Sequence, residues 1–64
     1  MRLNKTKVLL IMAKLCIDQK DLAERAGISR QTLSAVINGR SCRPSLLGKI
    51  SVALDVEPDE IIEE

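Results

Sequence analysis

With 64 residues and a net charge of +1, the chain has room for one domain, residues 1–64, near the lower size limit for folding alone. Its residues are 45% hydrophobic but none is aromatic, so the core must be aliphatic and no stacking platform for single-stranded nucleic acid exists. With no histidine and only Cys16 and Cys42, no zinc site can be assembled within one chain, and no metal or cofactor is expected.

The charge is unevenly spread. All ten basic residues lie in residues 1–54 with only Asp18, Asp21 and Glu24 against them, while residues 55–64 hold six acids. A basic body with an acidic tail fits a polyanionic partner, and equally a solvated charged surface. The start, MRLNKTKVLLIMAK, imitates an export signal. Its apolar run, Val8 to Ala13, is too short and Lys14 ends it without a small-residue cleavage site. Nothing in the chain is long enough to span a membrane, and a cytoplasmic protein is expected. Without a CxxC spacing the cysteines predict no disulfide: Cys16 reads as a small buried residue and Cys42 as an incidental loop residue.

In chain order, a first helix is predicted from about Lys5 to Leu15, with Val8, Ile11, Met12 and Leu15 on one face and Leu10 facing away. Asp18 is a good N-cap for a second helix, and Asp21 at N3 can answer it as a capping box. Leu22, Ala23 and Ala26 form its inward side, and Gly27 supplies the left-handed exit. Ser29 caps a third helix that ends at Asn38-Gly39. There Leu33, Val36 and Ile37 make the apolar stripe, and Gln31, Ser34, Ala35 and Asn38 point the other way. That outward face is short, uncharged and able to hydrogen-bond, which is unusual for a face that meets only water.

The segment RSCRP is a basic loop whose Pro44 keeps the preceding residue out of a helix. Ser45 is then expected to cap a fourth helix running to Leu54, built on Leu46, Leu47, Ile50, Ala53 and Leu54. Gly48 inside it is unfavourable by about 1 kcal/mol relative to alanine, so a close packing contact is expected there. Asp55 ends this helix in the left-handed region. Glu57-Pro58 opens a last short helix, with Pro58 at N1 and Asp59 and Glu60 near its positive end. Its only apolar side chains are Ile61 and Ile62. No strand is predicted, so the fold class is all-α.

Two helices joined through Gly27-Ile28-Ser29, in DQKDLAERAGISRQTLSAVING, make a helix-turn-helix over about residues 18–38. With the basic loop and the following LLGKISVALDVEPDEI, nearly the whole chain resembles the phage-repressor and Cro-type (Xre) helix-turn-helix family. The resemblance implies a compact five-helix, lambda-repressor-like domain whose helix from about 30 to 38 enters the DNA major groove. It implies base reading by Arg30, Gln31, Ser34 and Ala35: Gln31 on adenine, Arg30 on guanine or a phosphate, Ser34 as donor or acceptor, and Ala35 on a thymine methyl. It also implies phosphate contacts from Gln19, Ser29, Asn38, Arg40 and Arg43, with Lys20 and Lys49 beside them. One departure stands out. Many relatives carry a basic residue late in the first helix, near Met12, and this chain has VLLIMA instead.

The function implied is a sequence-specific, double-stranded-DNA-binding regulator, a small repressor that binds an inverted repeat as a homodimer. Candidate seams are the C-terminal end, at Val56, Ile61 and Ile62, where one of the adjacent isoleucines would stay free, or the Leu10 face of the first helix. The alternatives are a DNA-binding antitoxin that also masks a protein partner, or a protein-interaction module that has lost DNA. Enzyme function is not expected: there is no histidine, no paired acids in a cleft, no phosphate-binding glycine loop and no activated nucleophile.

Overall fold

Each helix starts where a side chain or a proline can replace the missing turn. The computed structural model describes residues 1–63. Helix α1 spans Lys5–Leu15, α2 Gln19–Ala26, α3 Arg30–Ile37 and α4 Pro44–Leu54, and a 3-10 turn follows at Pro58–Glu60. The Asn4 side chain accepts from the Lys7 N–H at 3.1 Å and so caps α1. Asp18 and Asp21 close the expected capping box on α2, and Ser29 caps α3 through the Thr32 N–H. Helix α4 departs from expectation. Pro44 itself is N1 and Arg43 the N-cap, with no side-chain cap bond, because proline's fixed φ starts the helix one residue before Ser45.

Three helices end in the left-handed region expected of a terminal turn: α1 at Cys16 (φ 57°), α2 at Gly27 (φ 70°) and α4 at Asp55 (φ 57°). Gly27 takes it without strain and Asp55, as expected, is tolerated there, whereas Cys16 is not a residue that favours it. A Cβ at Gly27 would touch nothing within 4 Å, so the backbone angle alone calls for glycine. Helix α2 packs against both α3 and α4, and α1 lies on α4. Ala23 is buried beside the turn, where the Ile28 N–H donates to its carbonyl at 3.0 Å. The core is aliphatic, with Val8, Leu22, Leu33, Ile37, Ile50 and Leu54 at its centre.

There are four α-helices, not five. The expected fifth is a single 3-10 turn, because the chain leaves it at once to pair with the N-terminus. Leu3 and Ile62 form an isolated antiparallel bridge. Around it the Asn4 N–H donates to the Ile61 carbonyl at 2.7 Å and the Glu63 N–H to the Arg2 carbonyl at 2.8 Å. At the other end of this strap the Cys42 N–H donates to the Met1 carbonyl at 2.6 Å. Leu3 is thereby sealed into the core together with Ile61, while Ile62 remains half-buried. Ile61 therefore has no surface to offer a dimer seam, and of the pair only Ile62 does.

Three further expectations are reversed. Cys42 is the buried cysteine and Cys16 the exposed one, since Cys16 sits on the outward turn after α1 while the strap draws Cys42 into the core. Gly48 has no neighbour within 4 Å of a Cβ position. It lines an open cleft shared by α4 and the 3-10 turn, with Val52, Asp55, Val56, Glu57 and Glu60. Leu15, expected on the core face, lies at the exposed end of α1.

Candidate nucleic-acid interface

Helix α3 has one sealed side and one open side. Leu33, Val36 and Ile37 are buried, which fixes the roll of the helix. Arg30, Gln31 and Asn38 are then exposed, and Ser34 and Ala35 are half-buried along the line between them. The four side chains expected to read bases thus share the outward side. No acid occurs anywhere on α3, so nothing on it repels a phosphate backbone.

The flanks carry the charge. Arg40 and Arg43 are exposed in the loop after α3, and together with Thr32 they border one shallow hollow. Thr32 was no candidate on sequence grounds, yet the loop brings it to the arginines. Its hydroxyl takes a hydrogen bond from Ser29 Oγ at 2.7 Å, so Ser29 is already engaged in the cap at both its donor and its acceptor. At the start of α2, Gln19 is half-buried and Lys20 exposed. The Asp21 N–H donates to the Asp18 carboxylate at 2.9 Å and holds its carboxyl below the usual range, assisted by the nearby Arg30 charge. Lys49 is exposed on α4.

A cation that sequence reasoning missed sits at the far end of α3. Lys5 Nζ donates to Asn38 Oδ1 at 3.1 Å, and Asn38 Nδ2 donates to the Ser34 carbonyl at 2.9 Å. The bond from lysine fixes which way the amide faces, because Oδ1 must accept and Nδ2 must therefore donate. A positive charge is also favoured at the C-terminal end of a helix. The one available signal is that Lys5, Val8 and Met12 share a side of α1, which turns Lys5 toward the body of the protein.

The remaining candidates lie elsewhere. Val56 is half-buried against the core in the cleft of α4 and the 3-10 turn, and Leu10 stands exposed on α1. Among the described residues there is no cluster of His, Cys, Asp or Glu able to hold a metal ion, and no helix is long and apolar enough to cross a membrane.

The sequence matches the family described as Helix-turn-helix over residues 9–61. The chain belongs to the Cro/C1-type helix-turn-helix family. No curated protein matches it. Among solved structures, this helix-turn-helix chain is similar to the restriction-modification controller protein C.AhdI from Aeromonas hydrophila, with 26% identity and a TM-score of 0.80. That likeness covers 88% of this chain and 86% of the controller. Two structures of PhpD, one native with cadmium atoms and one with cadmium complexed with hydroethylphosphonate, also match over 100% of this chain at TM-score 0.84. They are 22% identical, and the chain spans only 14% of PhpD's length, so this second likeness is one of fold.

Proposed function

We propose that this DNA-binding transcription regulator is a sequence-specific repressor that reads duplex DNA with α3 in the major groove. The observation that carries the proposal is the division of labour around one helix. Uncharged hydrogen-bonding groups occupy its outward face, cations stand at both ends and in the adjoining loop, and its apolar side is sealed. Gln31 and Arg30 have the reach and donor geometry for adenine and guanine edges. Ser34 and Ala35, half-buried, suit a close approach of the helix to the groove floor. Gln19, Asn38, Arg40 and Arg43 are assigned to phosphates, and Lys5 joins them through its place beside Asn38. Similarity to a controller protein supports a regulatory role.

The body measures 25 × 21 × 18 Å, enough for one half-site. Two copies related by a two-fold axis would set their recognition helices about 34 Å apart and require an inverted repeat. Since Ile61 belongs to the core, the seam is placed at the cleft of α4 and the 3-10 turn. Its apolar surface is Val56 and Val52, the latter 80% exposed. The rim of Asp55, Glu57 and Glu60 makes this a weak dimer that forms on DNA, with a self-repulsion at the seam that salt screens.

Competition binding with a specific and a random duplex tests the assignment. Gln31→Ala is expected to weaken the specific site by about 1–3 kcal/mol and leave random duplex nearly unchanged. Arg43→Ala is expected to weaken both alike and to lower the salt slope by about one. Equal losses on both duplexes for Gln31→Ala would remove it from base reading.

A further inference from the structure

Helix α1 has two faces, and only one is used by the fold. Val8 and Met12 are buried, whereas Leu10 is 64% exposed and Leu9 41% exposed. At 100° per residue, Thr6, Leu9, Leu10 and Ala13 fall on one outward stripe, and three of these four are apolar. A helix face that meets only water carries charged residues there. The charges lie instead along the borders of the stripe, and all are positive. Lys7 and Lys14 line the side beyond Leu10, and Lys5 lies on the other, with its Nζ on Asn38. Helix α1 contains no acid.

We propose that this stripe docks an acidic amphipathic helix of another protein. Aliphatic side chains of the partner would pack on Leu9, Leu10 and Ala13, and its flanking carboxylates would face Lys7 and Lys14. The charge pattern selects this occupant. In a two-fold pairing of α1 with itself, Lys7 and Lys14 of each copy would border the same seam with no acid on either helix to answer them. The chain's own acidic surface is a poor alternative. Its one largely exposed apolar side chain is Val52, and the three-residue turn beside it cannot present apolar groups at helical spacing. DNA fits worse, since leucines gain nothing against phosphates.

The test is an NMR titration of the isotope-labelled full chain with a synthetic helical peptide. The peptide carries leucine at i, i+3, i+4 and i+7 with glutamate on both flanks, and a second peptide carries lysine in place of glutamate. The glutamate peptide is expected to shift signals within residues 6–14, and the lysine peptide to leave them unmoved. Leu10→Asp, and independently the milder Leu10→Gln, should weaken the glutamate peptide by about tenfold with the helical circular dichroism unchanged. The double variant Lys7→Glu, Lys14→Glu should exchange the preference and take the lysine peptide. Equal binding of both peptides, shifts centred on α4, or no binding at all would overturn the proposal. So would self-association, or binding to phosphatidylserine vesicles, that Leu10→Asp abolishes.

Discussion

Replacing Leu3 by alanine tests whether the N-terminal strap is part of the fold and, through it, part of the interface. Leu3 is only 1% exposed and lies within the core cluster, so the substitution removes a fully buried side chain and leaves a cavity. Such Leu→Ala changes destabilise by about 2–5 kcal/mol. A chain of 64 residues has a total stability of only about 3–10 kcal/mol. The loss is therefore a large fraction of the whole, and the melting temperature should fall by about 10–30 °C. Leu10→Ala is the matched control, since Leu10 is exposed, and should change stability by less than about 0.5 kcal/mol. Urea unfolding followed by circular dichroism measures both. A loss below about 1 kcal/mol for Leu3→Ala would refute the reasoning. It would mean that residues 1–4 are not held by Ile61, Glu63 and Cys42, and that Lys5 is not anchored beside the end of α3.

Gly48→Ala should stabilise the free protein by about 1 kcal/mol, because helix propensity improves and no atom lies within 4 Å of the new methyl group; a lower melting temperature would reveal a close contact there. Asp18 has its folded pKa lowered from an ordinary 3.8, so its contribution is complete above that value and is lost as pH falls through the lower folded value. Asp18→Asn keeps the cap acceptor and should make stability fall less steeply below about pH 4, as read from urea midpoints. Identical slopes would remove the carboxylate from the account. Lys5→Ala is expected to weaken all duplexes alike and lower the salt slope by about one, as for a phosphate contact.

What was legible in the sequence was local. Asp18 with Asp21, Ser29, Gly27 and Pro44 act within a turn of their own positions, so the helix-turn-helix and its outward face follow from spacing alone. Leu3 was not legible, because one leucine in MRLNK has no periodic partner and its mate, Ile62, lies at the opposite end of the chain. That unseen pairing also explains three other misreadings. It ends the last helix after one turn, turns Ile61 inward, and draws in the loop that buries Cys42. Lys5 beside Asn38 is a contact between distant segments as well, and no local rule predicts it. Gly48 misled for a different reason: a glycine within a helix does not distinguish a tight contact from an open cleft.

Selection of bound duplexes from a random library with the purified full chain tests the central claim most directly. Reading by α3 from two copies predicts enrichment of an inverted repeat whose half-sites are centred about 10–10.5 base pairs apart. The enriched half-site should also lose its preference at one base position when Gln31 is replaced by alanine. Recovery of no preferred sequence, or of one that Gln31→Ala leaves unchanged at every position, would contradict sequence-specific recognition by this helix.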